Sequence, residues 1–275
     1  MTSSDSGSVV VGVDGSVSAI DAVRWAARSA ARHGAALELL HATSFPDLLA
    51  FGVVPATDEA KDFLRHHGRH LLRAARETAL GAGVTEVRER LDPDRPAQAL
   101  LGLAGPDTVL VVGHGRGRVG SVLAGSVASA LITHAPCRVV VVRGDEWDAP
   151  ATTAPVVAGV DGGPGSAAVT EAAFAEADTL AAPLLVLHAA AGDGAEPRLD
   201  ELLAEPARRH PGVHVEHETV ARRPRHELLA RSAEARLVVV GRRGRGGFPG
   251  LLLGSTTHAV LQHGTCPMLM VPTTG

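Results

Sequence analysis

Glycines at 241, 244 and 254, with Ser255 directly behind them, are the residues of this chain best suited to holding a phosphate. Two residues separate Gly241 from Gly244 and nine separate Gly244 from Gly254, and the apolar run Leu237–Val240 leads straight into them. Glycine lets a backbone approach a ligand with no Cβ in the way, and the first turn of a helix carries N–H groups that have no acceptor inside the helix. A buried strand, a glycine loop and then Ser255, Thr256 and Thr257 opening a helix make a cradle of N–H and hydroxyl donors. This is not a P-loop, because Lys61 is the only lysine and no Gly-x4-Gly-Lys-Ser/Thr motif exists. Asp14 and Asp161 each end an apolar run and precede a glycine and a helical pattern. In an open parallel sheet, ligands gather outside the carboxyl ends of the strands, where such a carboxylate can accept from a ribose or an adenine. The same placement also suits a turn or a helix N-cap.

The elements that must position these groups occur twice. Val9-Val10-Val11-Gly12-Val13-Asp14-Gly15 returns as Val156-Val157-Ala158-Gly159-Val160-Asp161-Gly162, and Leu39-Leu40-His41-Ala42 returns as Val186-Leu187-His188-Ala189. Pro96 and Leu100 match Pro224 and Leu228, while Gly125-Ser126, His134 and Cys137 match Gly254-Ser255, His263 and Cys266. Co-linear matches of this kind mark a duplicated domain. The expected domains are 1–146 and 152–275, with a linker near 144–154 where Pro150 and a run of polar residues break the pattern.

Each half alternates short apolar runs with helical stretches. In the first half strands are expected near 8–13, 36–42, 84–90, 108–113 and 138–143, and helices near 18–33, 58–82, 96–104 and 121–134. The second half repeats the strands near 155–160, 183–189, 213–219, 236–241 and 268–272. Runs of Val and Leu without alternation are the mark of parallel strands covered on both faces. The fold class is therefore α/β, two doubly wound domains built from right-handed βαβ units. An extra segment from Ser44 to about His67 reads as an irregular excursion able to cover a ligand crevice.

Composition narrows the function classes. Hydrophobic residues make up 45% and charged residues 20%, as in globular domains. A formal charge of −4 leaves no overall basic footprint for nucleic acid. No apolar run is long enough to span a bilayer, and Met1–Ser8 carries no leader pattern, so a cytoplasmic location is expected. Cys137 and Cys266 sit at matching positions ahead of apolar strands, so they read as buried thiols and not as a disulfide or a nucleophile.

With Val-Gly-Val-Asp-Gly, Leu-Leu-His-Ala, Gly-x2-Gly-x9-Gly-Ser and His-x-x-Cys in place, nearly the whole chain resembles the universal stress protein family in its tandem, ATP-binding form. That resemblance implies a five-stranded parallel sheet in each domain, Rossmann-like, ordered 3-2-1-4-5. It also implies binding of ATP, with Mg as an optional companion. Asp161 and Ala189 would then meet the adenine and ribose, Gly241 the ribose, and Gly244, Gly254, Ser255 and Thr256 the phosphates. The matching positions in the first half are Asp14, Ala42, Gly113, Gly115, Gly125 and Ser126, but the first loop departs from the pattern. Its second glycine comes one residue early, Val127 and Ala128 stand where the second half has Thr256 and Thr257, and Ala19 stands where it has Ser166. Dimerisation through the last strand is also implied, as a pseudo-dimer of the two halves or as a homodimer.

Other constellations are weaker. His66 and His70 are spaced i, i+4 on a helix, as zinc ligands can be, but Arg65 and Arg69 flank them and no cysteine or carboxylate set accompanies them, which favours a solvated face. His41 and His188 suit packing at a strand end. No catalytic triad has a local signature, so hydrolysis of ATP is expected to be slow at most. Two alternatives stay open, a phosphoryl- or nucleotidyl-transferring enzyme and a dimerising scaffold that binds no nucleotide.

Overall fold

Strands of uninterrupted valine need cover on both faces, and each unit of this protein supplies it by placing them at the centre of a parallel sheet. The structure is a computed structural model that describes residues 7–44, 57–114, 125–143, 153–189, 199–220, 223–244 and 253–273. By internal contacts the chain divides into Met1–Val142 and Arg143–Gly275.

The first unit runs β1 (Ser8–Gly12), α1 (Val17–His33), β2 (Ala36–Ala42), α2 (Asp58–Gly81), β3 (Val87–Asp92), α3 (Pro96–Leu101), β4 (Thr108–Gly113), α4 (Ser126–His134) and β5 (Arg138–Val142). Its strands lie in the order β3-β2-β1-β4-β5, and every neighbouring pair is parallel. Val9 is registered against Leu37 on one side and Val109 on the other. The chain winds from β1 outward through β2 and β3 and then crosses back to β4. The reversal opens a crevice at the carboxyl ends of β1 and β4.

The second unit runs β6 (Val156–Val160), α5 (Ser166–Leu180), β7 (Leu184–Ala189), α6 (Leu199–Arg209), β8 (Val215–Val220), α7 (Pro224–Ser232), β9 (Leu237–Gly241), α8 (Ser255–His263) and β10 (Met268–Val271). Its order is β8-β7-β6-β9-β10, again parallel throughout. Both units thus have the expected 3-2-1-4-5 order.

Local sequence explains the elements. Helix α1 starts where the Ser16 hydroxyl accepts from the Ala19 amide at 3.2 Å, and it ends at Gly34, whose φ of 62° is the left-handed cap. Its buried face is Ala22, Val23, Ala26, Ala27 and Ala30, small side chains that bring the helix close to the sheet. Helix α2 is capped by Thr57, whose hydroxyl accepts from Ala60. It meets the sheet at Gly68, where a Cβ would stand 2.5 Å from His41 Cδ2 and 2.7 Å from Leu91 Cδ2. In the second unit Phe174 fills the space under α5 with no exposed surface.

The outermost strands differ from expectation. β3 begins at Val87, not near 84, and extends to Asp92. β8 covers Val215–Val220. Residues 88–90 and 216–217 are charged or polar and exposed, as edge strands tend to be, so hydropathy gave no sharp limits there. The excursion expected from Ser44 to about His67 is helical from Asp58 onward, and its remainder, 45–56, lies outside the described residues. The linker residues 144–152 lie outside them as well. Among the described residues no helix is long and apolar enough to cross a membrane.

Candidate functional site

In the second unit the winding reversal brings the ends of β6, β7 and β9 together with the starts of α5 and α8. Between them is a crevice of about 260 Å³, slightly below the roughly 300–1,000 Å³ usual for small-molecule sites. Asp161, Ala189, Gly241, Gly244, Gly254, Ser255 and Thr256 all line it. Residues 245–252, the middle of the glycine loop, lie outside the described residues.

Backbone bonds hold the two ends of that loop. The Arg242 amide donates to Val271 O at 3.0 Å, and the Arg242 carbonyl accepts from the Gly254 amide at 3.0 Å. Gly254 therefore returns to the strand end that the loop left. It is the N-cap of α8, with φ −67° and ψ 149° and no side chain to cap the first turn. The amides of Ser255, Thr256 and Thr257 have no acceptor within the helix, so this end offers donors and the positive pole of the helix dipole to an anion. Thr257 departs from the hydroxyl set expected for phosphate. It is buried, and its Oγ1 donates to Gly241 O at 2.6 Å. That hydroxyl ties α8 to β9, which leaves Ser255 and Thr256 as the hydroxyls for a ligand.

Asp161 has a double position. Its Oδ1 accepts from the Gly163 amide at 3.0 Å and from the Ser166 hydroxyl at 3.4 Å, closing a turn that includes Gly162 at φ 72°. Its Oδ2 lies against the glycine loop: a Cβ on Gly244 would stand 2.1 Å from that oxygen. The loop approaches this carboxylate only because position 244 has no side chain. Arg243, next in the loop, also lines the crevice. Val160, Leu187, Val220, Pro224 and Leu228 give the crevice an apolar part of its lining. Pro224 and Leu228 were marked in the sequence as repeat landmarks without a role. Their recurrence as Pro96 and Leu100 was the signal, since both pairs line a crevice. Gly159 makes room for one of them, its absent Cβ lying 3.1 Å from Leu228 Cδ2.

The crevice in the first unit is smaller, about 120 Å³. Asp14, Ala42 and Gly113 line it, together with Ser16, Ser18, His41 and Val127. Gly125 and Ser126 begin α4 but are not among its lining residues, and Gly115 lies outside the described residues. Asp14 Oδ1 accepts from the Ser16 amide at 2.9 Å and the Ser16 hydroxyl at 2.6 Å. Gly113 is held tightly, for a Cβ there would stand 2.2 Å from Ser18 O. His41 is a packing residue: Nδ1 donates to Val13 O at 2.7 Å, and the ring lies against Gly68.

His66 and His70 both lie exposed on α2, and no group of three metal-ligating side chains exists among the described residues. Cys137 and Cys266 are buried thiols that form no disulfide. Burial pushes the Cys266 thiol up to about 12, so it stays protonated at neutral pH and is no nucleophile.

Fold and site together define a tandem doubly wound α/β protein with a glycine-edged crevice at the strand ends of each unit. The model of the universal stress protein family matches residues 6–143 and again 153–272. A universal stress protein of Mycobacterium tuberculosis is 36% identical over 283 residues, covering 95% of each chain. Another, from Mycolicibacterium smegmatis, is 34% identical over 284 residues, covering 96% of each. The crystal structure of a universal stress protein from Archaeoglobus fulgidus superposes with a TM-score of 0.77 at 17% identity, covering 98% of this chain and 97% of that one. This chain belongs to the universal stress protein family, in tandem form.

Proposed function

We propose that this is a cytoplasmic, non-enzymatic protein that binds ATP in its second half, with or without Mg, and acts in stress response through its nucleotide-dependent state. The observation that carries the reading is the convergence of Asp161, Ala189, Gly241, Gly244, Gly254, Ser255 and Thr256 on one crevice. The residues fit the ligand. Gly244 leaves a gap that a Cβ would close against Asp161, and the uncapped start of α8 supplies amide donors for phosphate oxygens. The apolar lining from Val160 to Leu228 suits a purine, and the half-buried Asp161 suits ribose hydroxyls. In the first half the reading rests on Asp14, Ala42 and Gly113. The working units are the domains 1–146 and 152–275.

Such an assembly binds phosphates without activating a water against them. The expected result with radiolabelled ATP is stoichiometric retention and less than one turnover in the time a phosphotransferase completes many. Multiple fast turnovers would replace this reading with an enzymatic one. Pairing of the two halves through their last strands, within one chain or between two, belongs to the same proposal and rests on the sequence alone. Small-angle scattering from an elongated two-bead particle would contradict it.

A further inference from the structure

We propose that Thr273 is a positioning residue of the second crevice: its γ-methyl holds the start of α5 off the end of β9 at the spacing a nucleotide needs. This rests on the reading of that crevice as an ATP site. Thr273 lies two residues beyond β10, and Val271, the last residue of that strand, is registered against Gly241. A Cβ on Gly165 would stand 2.2 Å from Thr273 Cγ2 and 2.9 Å from Thr273 Cβ, and one on Gly241 would stand 3.0 Å from the same Cγ2. One methyl thus occupies the room of a side chain at 165 and reaches 241 as well. Gly165 and Gly241 both line the crevice, while Thr273 is not among the described residues that do.

The spacing at Gly165 reaches the site through its neighbour. The Ser166 hydroxyl donates to Asp161 Oδ1 at 3.4 Å, and the Asp161 amide donates to Ser166 Oγ at 3.4 Å. A shift of the first turn of α5 is therefore passed to the carboxylate that faces Gly244. The first unit shows the alternative spacing. Ser18 matches Gly165 in the repeat, and its carbonyl oxygen lies 2.2 Å from where a Cβ on Gly113 would stand. There the helix backbone itself meets the strand end. At Gly241 the two nearest atoms are methyl carbons instead, from Thr273 and Val169, at 3.0 and 3.3 Å. Removing the Thr273 methyl leaves a void between two residues with no side chains of their own, and a close-packed interior closes part of such a void by moving its walls.

The test compares the full chain with Thr273→Ser, which keeps the hydroxyl and loses the methyl, and with Thr273→Val, which keeps the methyl and loses the hydroxyl. Calorimetric titration with ATP is expected to show about ten-fold weaker binding for Thr273→Ser, and affinity within about two-fold of the parent for Thr273→Val. Hydrogen exchange without nucleotide reads the spacing itself. The Ser166 and Val169 amides, which donate to Gly163 O at 2.9 Å and Gly165 O at 3.1 Å, are expected to exchange about five-fold faster in Thr273→Ser and at the parental rate in Thr273→Val. Parental ATP affinity in Thr273→Ser, equal losses in the two variants, or amide exchange that Thr273→Ser leaves unchanged would each overturn the proposal. A parent chain that takes up no ATP defeats the function proposed above instead, and the exchange rates still report whether the methyl sets the spacing.

Discussion

Replacing Gly254 with aspartate is expected to leave the fold intact and to weaken ATP binding at the second crevice by about 100-fold or more. Few site substitutions separate folding from binding so cleanly. Gly254 already has the extended backbone of an N-cap, with φ −67° and ψ 149°, and an added Cβ would find its nearest neighbours at an ordinary 3.6 Å. Aspartate is among the best N-cap residues, because its carboxylate accepts from the amide two or three positions on. Here those are Thr256 and Thr257, the donors assigned to the phosphates. The variant would satisfy these amides with its own carboxylate and set a negative charge where the triphosphate should lie. Calorimetric titration with ATP and a thermal melt, run together, check both halves of the expectation. Unchanged affinity would remove the helix start from the site, and a collapsed melting temperature would contradict the cap geometry.

The second large effect concerns two glycines that the repeat makes equivalent. Gly113→Ala is expected to cost about 3 kcal/mol or more of stability, and Gly241→Ala only about 1 kcal/mol. Both residues end the fourth strand of their unit, but they meet different neighbours. A Cβ at 113 would stand 2.2 Å from Ser18 O, 2.4 Å from Ser18 C and 2.9 Å from Ala19 N. These are backbone atoms in the first turn of α1, a helix fixed to its sheet by fully buried Ala22, Val23 and Ala26. At 241 the nearest atom is Thr273 Cγ2 at 3.0 Å, followed by Val169 Cγ2 at 3.3 Å, and side-chain methyls can move. Urea titration of the two variants beside the parent reads the difference. Equal costs would mean that α1 yields as easily as a threonine side chain.

The contrast between those glycines also marks what could be read from residues alone. Central strands were legible because Val9–Val11, Val109–Val112 and Leu237–Val240 admit no partner but a sheet covered on both faces. β3 was placed too early, because Arg88, Glu89 and Arg90 carry no hydrophobic period and an exposed edge demands none. Asp14, Asp161 and the glycines were legible as a set through their repetition. Their pairwise relations were not: that Asp161 Oδ2 abuts Gly244 depends on two segments far apart in the chain. Thr257 shows the same limit on a smaller scale, since a hydroxyl at a helix start serves a ligand or its own backbone, and only the 2.6 Å contact to Gly241 O decides. The apolar lining of Pro224 and Leu228 was in view as repeated letters, but its role became visible only when both residues of α7 were seen to line the crevice.

Calorimetric titration of the intact chain with ATP is the most direct measure of the central claim. Saturable binding that is lost in Gly254→Asp is expected from a crevice that joins Asp161 to the start of α8. No heat and no retained nucleotide with ATP, ADP or AMP would contradict it, leaving a tandem scaffold whose crevices hold no nucleotide.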